Sequence, residues 1–577
     1  MQHYLPLLQG LKNYTKADFT KDLVAGLTVG VVVIPQGMAY AMIAGLPPVY
    51  GLYASIFPVL MYMLLGTSKN VVVGPVAMDS LLVAAGLGTL AITGIENYIA
   101  MAIFLAFMVG VIQLILGFAR MGFLVNFLSK PVISGFTSAA ALIIIFSQLK
   151  HLLGADIARS NKFHQLISNA FEKFSETNYI DLTIGVIGIL IIILLKKWNR
   201  KMPSVLVVVI MGILAVYFFN LEQYGIHIVG AIPTGLPNFQ MPNINLENTL
   251  SIWPIALTLA LVGYLEAISI GKAMQEKDGG DTIDANQELV AIGASNVVGS
   301  FFQSYPATAS FSRSAINQES GVKTNLSAIF SLILVVLTLL FLTPLFYYLP
   351  NAVLASIIMV SVFGLIDVTY AVNLWKNRRD EFLVLLVTFL ITLFVGIPQG
   401  ILIGVLFSLL LMVYRTSNPH FAVLGNIVGS EYYKNVLRFG DEVVVRPDLL
   451  IVRFDAQMYF GNSAYFKKQL FSEIEAKGNA LKGVILNAEA INYIDSSSAQ
   501  MLIKVIRELH ERELQFYIAG AIGPTRDIIF SSGIIHELSK EFLFVKTKEA
   551  VAYFDDPNSC SELQGKIAIQ NKSYARI

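Results

Sequence analysis

The sequence predicts an all-α polytopic membrane domain followed by a small cytosolic α/β domain, and three observations predict it. The chain has 577 residues, of which 55% are hydrophobic and only 14% charged, with a mean hydropathy of +0.66; soluble domains carry about 25% charge. Apolar stretches long enough to cross the hydrocarbon core, about 20 residues of helix, recur from residue 22 to about 414. After Arg415 the pattern changes to short β-rich runs alternating with amphipathic ones. A globular core cannot absorb so much apolar sequence, because surface grows with size and must be wetted. A net charge of +1 gives no bulk basic character that would point to nucleic acid. The single cysteine, Cys560, excludes an intrachain disulfide framework and a cysteine-based metal cluster. The first 21 residues are polar and include Lys12, Lys16 and Lys21, so no cleavable signal peptide is expected.

The provisional spans are 22–45, 49–66, 75–92, 97–118, 131–149, 180–196, 203–220, 251–272, 285–302, 307–318, 326–348, 350–367, 381–396 and 398–414, fourteen in all. The loops check the count. With the N-terminus in the cytosol, even-numbered loops should hold the basic residues. The sixth reads "KKWNRK" (196–201), the twelfth "WKNRRD" (375–380), and the eighth holds Lys272 and Lys277. By contrast, the 221–250 loop has Glu222 and Glu247 but no Lys or Arg. Both termini are therefore expected in the cytosol. Residues 440–557 read as one small sheet covered by helices: "LLIVRFDA" (449–456), a helix from about 461, "GVILNAE" (483–489), a helix from about 496, "FYIAG" (516–520), another helix and "FLFV" (542–545). The expected organisation is a cytosolic segment 1–21, a transmembrane domain 22–415, a linker 416–439, the α/β domain 440–557 and a disordered tail 558–577.

Two segments suggest an inverted repeat. "VVVGPVAMDSLL" (71–82) and "SYPATASFSRSAI" (304–316) each place a proline before small residues and a helical pattern. Pro75 and Pro306 are 231 positions apart; Gln36 in span one and Glu266 in span eight are 230 apart. Seven spans per half is odd, so the second half is inverted in the membrane. Short, interrupted helices facing one another near the midplane are where transporters bind substrate. Proline in a helix's first turn sacrifices no hydrogen bond. Small residues such as Ala77, Thr308, Ser310 and Ser312 let a ligand approach the free N–H groups. Two such helix ends make a partial-positive site suited to an anion. The bland alternative is ordinary helix starts with small residues for packing; the recurrence of the pattern, with Arg313 alongside, favours the anion site.

Ionisable residues deep in the spans are few: Asp79, Glu266 and Arg313, with Glu288 nearer a helix end. Such charges are costly and usually functional. Arg313 can pair with an anionic substrate, or be neutralised by an internal carboxylate as a structural ion pair. Glu266 is the best candidate for coupling, since burial favours its neutral form and lets it carry a proton. Asp79, one turn beyond Pro75, is a second proton or cation ligand, or a carboxylate bonded locally.

"IPQGMAYAMIAGLPPVYGLYASIFPVLMYMLLGTS" (34–68), "GPVAMDSLL" (74–82), "RMGFLVNFLSKPVISGFTSAAALII" (120–144) and "ATASFSRSAIN" (307–317) resemble signature stretches of the SulP anion transporters. The resemblance covers about 20–555 and includes a C-terminal domain similar to STAS. It implies fourteen spans in a seven-plus-seven inverted repeat, a core moving against a gate domain, and a homodimer in the inner or plasma membrane. It also implies an anion site between spans one, three, eight and ten: Gln36 and Tyr40, the backbone near Val76 and Ala77, and Ser312 with Arg313. Glu266 matches the acidic residue tied to proton coupling in bacterial and plant members. Sodium-coupled members resemble this arrangement but use an aspartate there with a hydroxyl one turn on; here that position is Ile270, with Ser269 adjacent, which favours protons. Asp79 departs from the family pattern, where an aliphatic residue is common. "YIDSSSAQ" (493–500) resembles the strand-to-helix turn phosphorylated in anti-sigma-factor antagonists, with Ser496 or Ser497 as the hydroxyl. A plain Asp/Ser helix cap explains the same residues.

The leading expectation is secondary active uptake of a small oxyanion, sulfate first, then bicarbonate or a dicarboxylate, driven by protons or sodium. The alternatives are an anion exchanger or channel, and a membrane sensor whose STAS domain reports occupancy to a cytosolic partner. No "GKS" or "GKT" is present, so direct ATP drive is not expected. Nor are catalysis, a cofactor or a metal site: no metal-like histidine spacing and no nucleophile–base pairing is evident.

Overall fold

The computed structural model describes residues 14–90, 92–123, 129–157, 160, 163–198, 204–278 and 283–557. The start of the N-terminal segment, residues 124–128 of the third signature stretch, the "NRK" of the sixth loop and the tail 558–577 with Cys560 lie outside the described residues. The chain divides into two compact units, Met1–Ser408 and Leu409–Ile577.

The first unit is helical, and each of the fourteen provisional spans contains helix. Among the described residues, eight helices are long and apolar enough to cross a membrane; Val49–Leu65, Ala77–Leu90 and Ser204–Phe219 are apolar but shorter. Helix α1 (Lys16–Ile43) begins before the expected residue 22. Thr15 and Asp18 close a capping box there: Asp18 N donates to Thr15 Oγ1 at 3.2 Å and Thr15 N to Asp18 Oδ2 at 3.1 Å. An apolar count does not register such a polar first turn. Span two is broken into Val49–Tyr53 and Phe57–Leu65, with Pro58 in the first turn of the second piece. Part of the expected loop 375–380 is instead helix, since Val368–Asn377 is amphipathic and capped by Asp367, which accepts from Tyr370 N at 2.9 Å.

Two buried carboxylates brace this unit. Asp22 accepts from Lys323 N (2.7 Å), Thr324 Oγ1 (2.6 Å) and Tyr14 Oη (3.0 Å). Glu288 accepts from Thr67 N (2.7 Å), Thr67 Oγ1 (2.6 Å) and Tyr62 Oη (2.9 Å). A carboxylate saturated with donors offsets its own burial. Glu288 therefore has a structural role, and Asp22 an equivalent one that the span count did not single out.

Five elements of the first unit, besides α1, build the site. Strand β1 (Val73–Gly74) precedes α2 (Ala77–Leu87); α3 (Leu246–Asp278) contains the stretch expected as span eight; strand β2 (Thr308–Ala309) precedes α4 (Phe311–Glu319). The strands pair antiparallel, Val73 with Ala309 and Gly74 with Thr308.

The second unit is an α/β sheet. Strands β3 (Phe421–Ile427), β4 (Leu449–Phe454), β5 (Gly483–Asn487), β6 (Gln515–Ala519) and β7 (Leu543–Phe544) lie side by side in that order. β3 is antiparallel to β4 and the rest run parallel. Strand β3 falls inside the stretch expected as linker; its alternating burial shows a half-covered strand rather than a tether. In β4, Leu450, Val452 and Phe454 face one core, and Leu449 and Ile451 the other, as the two-residue repeat requires.

Candidate anion site

The β1–β2 ribbon places two helix N-termini at its two ends. Each strand leads within three residues into its helix, and antiparallel pairing sends α2 and α4 off in opposite directions. The residues before the helices, Val76 (φ −132°) and Ser310 (φ −110°), are extended, and neither helix end carries a side-chain cap. The leading N–H groups of both helices are thus left for a ligand, with the partial positive charge of each helix behind them. Helix α1 packs against α2 and α4, and α3 against α2, β2 and α4, so all expected elements converge.

Arg313 reaches from α4 to the segment that precedes α2. It is fully buried, and its Nη2 donates to the Pro75 carbonyl at 2.7 Å. Its Nε and Nη1 have no partner. Burying a guanidinium with two orphan donors is costly unless something anionic completes the set. The internal ion pair considered for Arg313 is absent among the described residues. Gly74 lets the guanidinium approach: φ is +149°, and a β-carbon would sit 3.3 Å from Nη2 and 3.4 Å from Nη1. Gly74→Ala is expected to cost about 1–3 kcal/mol of backbone strain and to displace Arg313. The check is a several-fold rise in the anion KM with protein of unchanged oligomeric behaviour.

The remaining expected residues divide. Gln36 and Tyr40 are buried on α1 beside Pro35, which interrupts the helix's own hydrogen bonding. Gln36 Oε1 has no partner, and Tyr40 lies within electrostatic reach of Arg313. Val76 and Ala77 are buried at the α2 terminus. Asp79 is buried on α2 and Glu266 partly buried on α3. Ser312 is brought to the α4 terminus, but its side chain is exposed.

Sequence reasoning missed a supporting polar layer. Tyr305 is fully buried with its hydroxyl 3.1 Å from Ser80 Oγ. Thr308 Oγ1 donates to the Gly263 carbonyl at 2.8 Å, tying β2 to α3. Asn296 accepts from Ala307 N at 2.8 Å and donates to Gln113 at 3.1 Å, and Gln113 donates to the Ala260 carbonyl at 3.2 Å. An amide inside an apolar helix was the available signal. In the second unit, Ser496 and Ser497 are exposed in the first turn of α5 (Ser496–Glu511). Asp495 is its N-cap, accepting from Ser498 N at 2.7 Å and Phe460 N at 2.8 Å. Asp495→Ala is expected to cost about 1 kcal/mol, lowering the Tm of this unit by about 2–4 °C, as followed by calorimetry. Among the described residues, no cluster of ligating side chains fits a metal ion.

Known proteins resemble this chain in sequence and in fold. Residues 19–388 match the sulfate permease family and residues 442–551 the STAS domain. Sulfate transporter 4.1, chloroplastic, of Arabidopsis thaliana is 36% identical, the alignment covering 95% of this chain and 82% of the relative. High affinity sulfate transporter 2 of Stylosanthes hamata is 34% identical, covering 96% and 87%. The structure of the murine solute carrier 26 family member A9 anion transporter in the inward-facing state superposes with a TM-score of 0.87 at 26% identity, covering 95% of this chain and 94% of that one.

Proposed function

The chain belongs to the sulfate permease family, and from that premise we propose that it takes up a small inorganic oxyanion, sulfate foremost, by proton-coupled symport and alternating access. It is an integral membrane transporter of anions and not an enzyme. The observation that carries the reading is the buried Arg313 guanidinium, with Nε and Nη1 unpartnered, between two uncapped helix N-termini. A tetrahedral dianion offers many acceptor lone pairs to such a cradle, and backbone N–H groups bind it without adding net charge. The names of the plant relatives support sulfate before bicarbonate or a dicarboxylate.

In this reading the N–H groups about Val76 and Ala77 hold the anion together with Arg313. Gln36, Tyr40 and the Ser312 hydroxyl line the approach, and Glu266 with Asp79 carries the coupling ion. The position four residues after Glu266 is the buried Ile270 in place of a hydroxyl, with Ser269 adjacent, which supports protons over sodium. The transporter works as a homodimer in the inner or plasma membrane with both termini in the cytosol. The STAS unit is the module for a cytosolic partner, with Ser496 and Ser497 its exposed hydroxyls for phosphorylation.

The test is uptake of labelled sulfate and bicarbonate into proteoliposomes under imposed proton or sodium gradients. An inward proton gradient is expected to drive sulfate above its equilibrium level, while a sodium gradient does not. Uptake indifferent to both gradients would overturn symport and leave an exchanger or a channel.

A further inference from the structure

We propose that Asp79 and Glu266 form one two-proton site, so that each divalent oxyanion enters with two protons and no net charge. This rests on the symport reading and deepens it. Asp79 is the third residue of α2, where a carboxylate ordinarily folds back onto the cap backbone. It does not do so here: its Oδ1 is buried without a hydrogen-bond partner. Its Oδ2 faces α3 at Gly263, where a β-carbon would lie 3.4 Å away. Glu266 stands three residues further along α3, on the same helical face, and the two carboxylates act on each other electrostatically. The other groups able to carry charge around them are Arg313 on α4, Tyr40 on α1 and Tyr305 just before β2.

The charge balance follows from these groups. Two carboxylates that act on each other in a low-dielectric site cannot both stay ionised beside a bound dianion when a single guanidinium opposes them. With sulfate bound, both are therefore neutral, each holding a proton taken from the outer solution. The loaded site then carries one net negative charge, from the dianion and the guanidinium. After sulfate and both protons leave to the cytosol, two carboxylates and one guanidinium again carry one net negative charge. The moving core crosses with the same charge in both directions, so the membrane potential does no work on the cycle. With one carboxylate alone the empty site is neutral, and each turnover carries one negative charge inward.

The experiment measures the limiting sulfate accumulation in proteoliposomes against the imposed pH gradient, with the potential clamped by potassium and valinomycin. At zero potential, one pH unit sustains an accumulation of about 100-fold with two protons and about 10-fold with one. For the unmodified protein we expect about 100-fold, unchanged by an inside-negative potential of about 59 mV. Asp79→Asn is expected to fall to about 10-fold at zero potential, and a further tenfold at that inside-negative potential, the factor for one charge. Asp79→Glu restores the higher ratio, which keeps the test open should the amide variant fold poorly. A ratio near 10 in the unmodified protein, or a ratio near 100 retained by Asp79→Asn, overturns the two-proton site while leaving symport standing. No pH-driven accumulation in the unmodified protein overturns the symport reading itself, and the two-proton site with it.

Discussion

Glu266→Gln reduces proton-driven sulfate accumulation at one pH unit and zero potential from about 100-fold to about 10-fold, the level that one remaining proton on Asp79 sustains. The amide keeps the shape and hydrogen-bonding size of the side chain but cannot take up or release a proton. Asp79 then carries the one proton that still accompanies each anion. Exchange of labelled for unlabelled sulfate therefore persists, while uphill accumulation falls about tenfold. Loss of both activities together in a well-folded variant would place Glu266 in anion binding instead of coupling. Position supports coupling: Glu266 lies on α3 one turn from Gly263, which receives the Thr308 hydroxyl and faces Asp79, whereas the orphan donors of Arg313 mark the anion.

Arg313→Ala is expected to weaken sulfate binding by about 100-fold or more, the usual consequence of removing one member of a buried charge pair, about 3–5 kcal/mol. The anion would keep the two helix N-termini, each contributing about 0.3–1 kcal/mol and up to about 2 when partly buried. Those cannot replace a full charge. Arg313→Lys retains the charge but not the planar fork, and cannot both hold the Pro75 carbonyl and face the ligand. It should recover part of the affinity. Equilibrium binding of sulfate to purified protein reads both variants. Because Arg313 also ties α4 to the segment before α2 at Pro75, the alanine variant is compared at matched monodispersity and Tm.

Much of this site was legible because its signals are local. A proline followed by small residues, repeated 231 positions later, identifies both half-helices from a dozen residues each. Glu266 and Arg313 stand out because a charge in an apolar run is costly wherever it points. The contacts that join the two segments leave no such trace. Arg313 to Pro75 spans 238 positions and Tyr305 to Ser80 spans 225, and nothing periodic in the chain records either. The two-residue strands β1 and β2 are too short to show alternation. The cost of a buried charge also says nothing about its partners. Glu288 is satisfied by three donors and serves packing, while Asp79 has an oxygen with none. In the second unit the strands and helices after residue 440 follow from their alternation. Strand β3 was hidden because it begins only four residues after the last apolar helix ends at Ser417.

The most direct measurement is a structure determined with selenate, a sulfate analogue located by its anomalous scattering. One anion is expected at the β1–β2 ribbon, within hydrogen-bond distance of backbone N–H groups at the start of α2 and α4 and of the Arg313 guanidinium. An anion bound elsewhere, with Nε and Nη1 of Arg313 still unpartnered, would contradict it.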